Sequence, residues 1–372
     1  MNPVPMLDLT RAHRRIATEL DGRWQAILAR TSFVLGPEVK EFEEAFARYL
    51  GAPRAIGVGN GTDALVIALR ALGLEPGDEV LVPGFTFFAT AEAVALLGGV
   101  PVLCDIDPAT YNLDPRDAAA RVTDKTVGIL GVHLYGRPFD FAAIRALADR
   151  HGLWVLEDAA QAHGARYQGA RVGSLGELAA WSFYPTKNLG CFGDGGGISG
   201  RDAKLVEHAF LLANHGQTAR YHHTLVGTNS RLDSVQAAVL NCRLPLLDGD
   251  NAHRRACAAR YRDGLAGVGD LVWPAEREGD EPVFHQVAVR SSRRDALQQA
   301  LTAAGIGCAT HYPSPLHHQP ALAATVPADT SLPEAERAAR EVLCLPIFGE
   351  LTFEEVDRVV DAIRSFFAAG GA

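Results

Sequence analysis

A lysine and an aspartate that each follow a predicted strand are the residues of this sequence that best fit a chemical role. Lys187 lies in the stretch SFYPTKNLG, after the apolar run AAWSF and before the glycine-rich GDGGG. Asp158 follows the predicted strand WVLE. Pyridoxal phosphate (PLP) enzymes need a lysine for a Schiff base with the cofactor and a carboxylate that keeps its pyridine ring protonated. Lys187 and Asp158 therefore predict a PLP site and its two catalytic groups.

The composition excludes several other classes of function. The chain has 372 residues, 48% of them hydrophobic, with a formal net charge of -9 and six scattered cysteines. The acidic balance argues against nucleic acid or an anionic membrane as a partner. The cysteines form no CxxC pair, and we find neither a signal-peptide pattern nor an apolar run long enough to span a membrane, which together predict a cytoplasmic protein.

The elements that must position Lys187 and Asp158 alternate between strand and helix from residue 54 onward. We predict strands at 55–58, 79–82, 100–103, 127–133, 154–157 and 178–183, with helical patterns such as 62–72 and 139–151 between them. This alternation is typical of an α/β fold, with a mostly parallel central sheet covered by helices. Functional residues of such sheets lie at the carboxyl ends of the strands.

A second, smaller α+β domain is predicted to follow. We place a large cofactor-binding domain at residues 1–245, including an N-terminal helical segment, and the small domain at residues 246–372. The small domain should contain helices at 251–265, 293–304 and 352–367, and extended segments at 283–289 and 307–312. The Gly/Ala-rich tail at 368–372 is expected to be disordered.

A glycine-rich turn at residues 57–63, GVGNGTD, predicts a phosphate site. It joins a strand to a helix that begins near Thr62, so free backbone N–H groups and the positive helix end should face a ligand there. The turn is neither GxGxxG nor a P-loop, which favours a monophosphate over a dinucleotide or triphosphate. The alternative is a structural turn that Asn60 or Thr62 caps.

Three further side chains fit the remainder of a PLP site. Phe87, preferred over Phe85 and Phe88, could stack on the pyridine ring. Gln161 could reach the ring hydroxyl, and Ser182 could bind the phosphate. The alternative for each is an ordinary core or half-buried polar position.

The order of these motifs resembles a known family over nearly the whole chain. The motifs GNGTDAL, PGFTFFATAEA, VHLYG, EDAAQAHGA, SFYPTKNLG, DGGG, NSRLD, HYPSPLH and AAREVLCLP are similar to those of the DegT/DnrJ/EryC1/StrS sugar aminotransferases. The resemblance implies the PLP-dependent transferase fold type I and a homodimer with shared active sites. By position it assigns Lys187 as the Schiff-base lysine and Asp158 as the pyridinium partner, with a cofactor shell of Gly61, Thr62, Phe87, Gln161, Ser182 and, from the partner subunit, Asn229.

The resemblance also implies the reaction. L-glutamate donates the amino group and a keto-sugar nucleotide accepts it, with a dTDP-linked 3-keto-6-deoxyhexose as the predicted acceptor; a C4-keto sugar nucleotide or a cyclitol remains an alternative. The candidate substrate-binding residues are His163, Tyr184, Arg220, Tyr221, His311 and Tyr312.

The residues also bear on three other hypotheses. Histidines cluster in HYPSPLHH, but prolines interrupt the segment and it contains no carboxylate, so we predict no metal. A PLP-binding regulator without catalytic activity is the alternative from a different class. The presence of both Lys187 and Asp158 argues for catalysis, and Lys187 also argues against the dehydratases of the family, which have histidine there.

Overall fold

The structure is a computed structural model that describes residues 3–370. Its strands are β1 (Arg54–Val58), β2 (Glu79–Pro83), β3 (Val100–Cys104), β4 (Thr126–Val132), β5 (Trp154–Asp158), β6 (Arg166–Tyr167), β7 (Ala170–Arg171), β8 (Leu178–Ser182), β9 (Gly196–Gly200), β10 (Gln217–Ala219), β11 (His222–His223), β12 (Val287–Arg290) and β13 (Val342–Leu345). Its α-helices are α1 (Leu9–Arg30), α2 (Pro37–Leu50), α3 (Gly61–Ala71), α4 (Ala89–Leu96), α5 (Pro115–Ala120), α6 (Phe141–His151), α7 (Ala203–Ala213), α8 (Ser234–Arg243), α9 (Leu247–Gly264), α10 (Arg294–Ala303), α11 (Pro333–Glu341) and α12 (Phe353–Ala368).

A seven-stranded sheet carries the fold, in the order β1-β9-β8-β5-β4-β2-β3. Strands β2, β3, β4, β5 and β8 run parallel, whereas β9 is antiparallel to both of its neighbours, β1 and β8. Helices connect β2 to β3, β3 to β4 and β4 to β5, whereas the short strands β6 and β7 lie between β5 and β8. Helices cover the sheet, which confirms the predicted fold class. The carboxyl ends of the parallel strands therefore meet at one edge.

Side chains alternate between the two faces of the sheet, so the two neighbouring acids of β5, Glu157 and Asp158, point to opposite faces. Leu156 is buried with the core that includes α3 and α4, whereas Val155 is buried with the core that includes α5 and α6. Because successive strand residues point to opposite faces, Asp158 shares the face of Leu156, and Glu157 shares the face of Val155.

A separate hydrophobic core lies mostly within the segment predicted as the small domain. It consists of the antiparallel pair β12–β13 with α9, α10 and α12, around buried residues such as Tyr261, Leu297 and Val359. The predicted strand at 283–289 is realised only from Val287, and of the predicted segment at 307–312 only Ala309 pairs, with Cys344. Helix α12 ends at Ala368, and the predicted tail beyond residue 370 lies outside the described residues.

The N-terminal segment contacts both domains. Helices α1 and α2 pack on α8 of the large domain. Val4 pairs with Ile306 of the small domain, and Arg11 forms an ion pair with Glu355 on α12, with 2.6 Å between Nη2 and Oε1. The division at residue 245 remains a prediction.

Strand β9 is the strand of the seven-stranded sheet that the sequence analysis missed. No strand is predicted for its glycine-rich sequence, GGISG, because glycine is rare in strands. A Cβ atom at Gly196 would lie 2.2 Å from the Asn60 carbonyl oxygen, and one at Gly200 would lie 2.3 Å from that of Glu177. The glycines thus allow a central strand to approach neighbouring backbone closely.

Within residues 3–370, none of the helices combines the length and the apolar character that crossing a membrane requires.

Candidate active site

A cavity of about 610 Å³ opens at the carboxyl edge of the sheet. It lies between the large domain and two other segments, one just before β12 and one after α10. Ligands of open α/β sheets bind at this edge. The large-domain wall includes Asn60, Gly61, Thr62, Thr86, Phe87, Asp158, Gln161, Ser182, Tyr184 and Lys187, and the facing wall includes His285, Gln286, His311 and Tyr312.

Asp158 is buried at the end of β5 and is held by two donors. The Ala160 backbone N–H donates to Oδ1 at 3.2 Å, and the Thr90 hydroxyl donates to Oδ2 at 2.9 Å. The Thr86 hydroxyl lies 3.3 Å from that of Thr90. Burial raises the pKa of Asp158, although these donors and the Lys187 charge oppose it. A protonated pyridine nitrogen in the cavity would offset the cost of burying the Asp158 charge, so the carboxylate suits that partner.

Glu157, the neighbouring acid, serves a structural role on the other face of β5. Its carboxylate accepts hydrogen bonds from the backbone N–H groups of Gly173, Leu175 and Gly176 at 2.8 to 3.0 Å. The His133 Nε2 atom lies 3.0 Å from the same carboxylate. With four partners and no exposed surface, Glu157 fixes the loop before β8 and is not available to a ligand.

Lys187 lies in a turn that follows β8 and is half-buried in the cavity wall. Its backbone N–H donates to the Tyr184 carbonyl at 2.9 Å, which closes the turn. Burial lowers the pKa of Lys187 from 10.5 to about 8, and the nearby Asp158 carboxylate opposes that shift. An amine with this pKa is partly unprotonated near neutral pH, as a nucleophile or base requires.

The predicted phosphate site is assembled at the start of α3. Asn60 caps the helix by accepting from the Asp63 N–H at 2.8 Å, so the helix N-terminus faces the cavity. A Cβ atom at Gly61 would lie 2.7 Å from the Ser182 Cβ atom, which shows how closely the two backbones approach. Gly61, Thr62 and Ser182 thereby line one end of the cavity, where helix N–H groups and a hydroxyl suit an anion.

Phe87 and Gln161 also lie in the cavity wall. Phe87 is 57% exposed, whereas Phe85 is 1% exposed in the core. The Gln161 side chain accepts from the Tyr135 N–H at 2.6 Å and lies 3.2 Å from the Tyr312 hydroxyl, so its orientation is fixed. The Phe87 ring is exposed to the cavity, with its centroid 6.0 Å from that of Tyr312, and Gln161 lies beside the residues of the facing wall.

Three of the predicted substrate-binding residues, Tyr184, His311 and Tyr312, line the cavity. We correct the assignment of His163. It is fully buried beneath the sheet, with its ring centroid 5.1 Å from that of Trp181 and 5.8 Å from that of Phe183. Burial lowers its pKa to about 3. It is therefore a neutral core residue rather than a contact for substrate.

Three other predicted site residues lie outside the cavity of their own chain. Arg220 and Tyr221 belong to the exposed hairpin of β10 and β11, and Tyr221 is 83% exposed. Asn229 is exposed and pairs with Asn214. A single chain, as described from residue 3 to 370, does not bring these three to Lys187.

The histidine-rich segment has a neighbour that the sequence analysis did not foresee. Helix α11 brings Glu336 to His317, with 3.2 Å between Oε1 and Nε2, and the ligand atoms of His317, His318 and Glu336 lie within 4.8 Å of one another. The pair joins this segment to α11, away from the residues that line the cavity.

Thr90 and His285 were also missed. Thr90 lies within the motif PGFTFFATAEA but was given no role there, and His285 lies outside the quoted motifs; only the folded chain brings Thr90 to Asp158 and His285 to the cavity. A buried carboxylate, a lysine with lowered pKa and a helix N-terminus at one sheet edge together fit PLP. The fold and this site define a PLP-dependent transferase of fold type I.

Comparison with known proteins gives the family. The model of the DegT/DnrJ/EryC1/StrS aminotransferase family matches residues 14–364, so the chain belongs to that family. It is 47% identical to the dTDP-3-amino-3,4,6-trideoxy-alpha-D-glucose transaminase of Streptomyces venezuelae, over 98% of this chain and 96% of the relative. It is 45% identical to the UDP-2-acetamido-2-deoxy-3-oxo-D-glucuronate aminotransferase of Pseudomonas aeruginosa, over 97% and 100%.

Solved structures agree with this assignment. The crystal structure of S. venezuelae DesV in complex with a ketimine intermediate superimposes with a TM-score of 0.96, at 47% identity over 98% of this chain and 99% of that one. The structure of NtdA from Bacillus subtilis with bound cofactor PMP superimposes with a TM-score of 0.92, at 32% identity over 99% and 86%. The predicted cofactor and the predicted enzyme class, a PLP-dependent aminotransferase, are confirmed.

Proposed function

We propose that this chain transfers the amino group of L-glutamate to C3 of a dTDP-linked 3-keto-6-deoxyhexose. The observation that carries the proposal is the sugar carbon, C3, that the names of three relatives give. The S. venezuelae relative is named for a dTDP-3-amino sugar, the P. aeruginosa relative for a UDP-3-oxo sugar, and a 41% identical relative from Aneurinibacillus thermoaerophilus for a dTDP-3-amino-3,6-dideoxy sugar. A C3 carbonyl is common to all three reactions, and two of the three carriers are dTDP.

The residues of the cavity supply what such a transfer needs. PLP, when bound, takes up the electrons of the carbanion that forms beside the transferred nitrogen. Gly61, Thr62 and Ser182 would hold its phosphate, and Asp158 would hold the proton on its ring nitrogen. Lys187 Nζ, with its lowered pKa, would remove a proton from the substrate carbon and return it.

We further propose that the enzyme is a homodimer with shared active sites. Asn229 is exposed and lies outside the cavity of its own chain, and the loop between α1 and α2 exposes Phe33, Val34 and Leu35. Exposed apolar residues of this kind are typical of a protein interface. A partner subunit at this surface would bring its Asn229 to the phosphate end of the cavity.

A complementation experiment tests the shared site. Lys187→Ala and Asn229→Ala are each expected to be inactive alone. Mixed dimers of the two would contain one site with both a lysine and the partner's asparagine, and should regain up to about half of the native activity. Mixed dimers, confirmed by affinity-tag purification, that regain none would refute the shared site.

A panel of acceptors tests the substrate. We expect L-glutamate-dependent amination of a dTDP-3-keto-6-deoxyhexose, detected by mass, with kcat/KM at least about tenfold above that for a dTDP-4-keto sugar, a UDP-3-keto sugar or a keto-cyclitol. A preference for the 4-keto sugar or the cyclitol would reject C3 of a hexose. A preference for the UDP sugar would reject only the carrier.

The name of one relative favours the alternative of a non-catalytic regulator. A 48% identical relative from Geobacillus stearothermophilus is named a pleiotropic regulatory protein. The cavity keeps Lys187 and Asp158 in place, which supports catalysis. Conversion of the bound cofactor by L-glutamate, followed by absorbance, separates the two hypotheses, because a non-catalytic regulator would show no conversion.

A further inference from the structure

A buried relay of hydrogen bonds joins the turn that contains Lys187 to the cavity wall that contains His285. The Asn251 side chain donates from Nδ2 to the His163 carbonyl at 2.8 Å. Asn188, next to Lys187, donates from Nδ2 to Asn251 Oδ1 at 2.9 Å and to the Val283 carbonyl at 3.0 Å. His285 Nδ1 lies 3.2 Å from Asn188 Oδ1. The relay therefore runs from a backbone carbonyl to the His285 ring.

The relay fixes the tautomer of His285. A carbonyl oxygen accepts only, so the Asn251 amide nitrogen faces His163 and its oxygen faces Asn188. The Asn188 amide nitrogen faces two acceptors, which turns its oxygen toward His285. His285 Nδ1 must then carry the proton and donate it. Burial keeps the pKa of His285 well below its ordinary value, so the ring is neutral and Nε2 is a lone pair.

His285 itself belongs to the cavity wall opposite the predicted cofactor shell. The cofactor shell, from Gly61 to Lys187, lies on the large-domain side, whereas His285 is grouped with Gln286, His311 and Tyr312 on the other side. A fixed lone pair attracts a hydroxyl and repels a carboxylate. Of the two substrates, the sugar presents ring hydroxyls, whereas L-glutamate presents two carboxylates besides the nitrogen that it transfers. The atom therefore suits the sugar.

We propose that His285 Nε2 accepts a hydrogen bond from a ring hydroxyl of the sugar nucleotide, and that the Asn188–Asn251 relay holds it in that role. The inference rests on the proposed function, since it assigns a specificity-determining residue for the acceptor. His285 distinguishes the two half-reactions, because it contacts the acceptor and not the donor.

Two substitutions at this position separate the contact from the relay. In His285→Asn the amide occupies the place of Nδ1, so the bond to Asn188 is kept and the distal acceptor is lost. In His285→Gln the amide oxygen reaches the place of Nε2, so the acceptor is kept and the bond to Asn188 is lost. His151→Asn, on the exposed end of α6, is the matched control.

The half-reactions are measured separately by single-turnover absorbance. For His285→Asn we expect kcat/KM for the keto-sugar nucleotide to fall about tenfold, the value of one hydrogen bond of about 1.4 kcal/mol. The rate with L-glutamate should change by less than about threefold. His285→Gln should recover most of the sugar half-reaction but unfold at a lower urea concentration. A His285→Asn enzyme with an unchanged sugar half-reaction, or with both half-reactions lowered equally, would overturn the proposal.

The outcome distinguishes this inference from the proposed function. If the native enzyme aminates none of the keto-sugar nucleotides, the proposed function fails. If it aminates one and His285→Asn does so equally well, only the role of His285 fails. The tautomer has an independent readout that needs no substrate, a long-range ¹H–¹⁵N spectrum of histidine-labelled protein. It should show His285 protonated at Nδ1, and protonation at Nε2 would refute the relay.

Discussion

Replacing Lys187 by methionine should stabilise the cofactor-free protein, and the gain should depend on pH. Lys187 is half-buried in the cavity wall, and the desolvation of its amine lowers its pKa from 10.5 to about 8. The unfolded chain therefore binds a proton that the folded chain binds more weakly. Because the folded-state pKa is depressed, the penalty is complete below about pH 8 and disappears as the pH rises toward 10.5.

The magnitude follows from this difference. At about 1.4 kcal/mol for each tenfold difference in proton affinity, the buried ammonium costs about 3 kcal/mol of unfolding free energy at about pH 7. At about pH 9.5 the amine is neutral in the folded protein and the cost falls to about 1.4 kcal/mol. The advantage of Lys187→Met should therefore shrink by about 2 kcal/mol between these pH values.

Urea unfolding of the cofactor-free proteins, followed by circular dichroism at both pH values, measures this difference. Lys125→Met, at an exposed lysine, is the control and should leave stability nearly unchanged at both. If Lys187→Met is no more stable than the native chain at about pH 7, or if its advantage does not change with pH, the account of the buried amine is wrong.

Three further predictions concern β5 and its partners. Thr90→Val should slow the half-reaction with L-glutamate about 10- to 100-fold in a stopped-flow assay, since it removes a hydrogen bond to a charged group, while Thr90→Ser should stay within about threefold; equal loss in both would reject the positioning role. Asp158→Asn should lower turnover by at least about 100-fold in the coupled steady-state assay without lowering the urea midpoint, and near-native turnover would mean that another group holds the ring nitrogen. Glu157→Gln should lower the free energy of unfolding by about 2 kcal/mol in urea titrations yet preserve activity per folded molecule, and a loss of activity alone would contradict its structural role.

The parts of the site that the sequence predicted are those with local signals. Lys187, Asp158 and the turn at Gly61 each follow a short apolar strand, and parallel strands must bring their carboxyl ends to one edge. The fold class was predictable for the same reason, because strand and helix patterns alternate. The roles of the individual site residues remain predictions, which the substitutions above test.

The rest could not be predicted because it depends on packing between distant segments. His163 follows Gln161 by two residues, yet the turn after β5 directs it into the core against Trp181. His285 reaches the cavity only because the small domain folds back onto the turn of Lys187. Strand β9 was missed since its glycines, which close contact with Asn60 requires, have the composition of a loop.

The most direct test of the central claim is nitrogen transfer from ¹⁵N-labelled L-glutamate to a dTDP-3-keto-6-deoxyhexose, followed by mass spectrometry of the sugar nucleotide. The account predicts a ¹⁵N-labelled 3-amino sugar nucleotide with the native enzyme and none with Lys187→Ala. Amination without the label, or a labelled product formed by Lys187→Ala at the native rate, would contradict it.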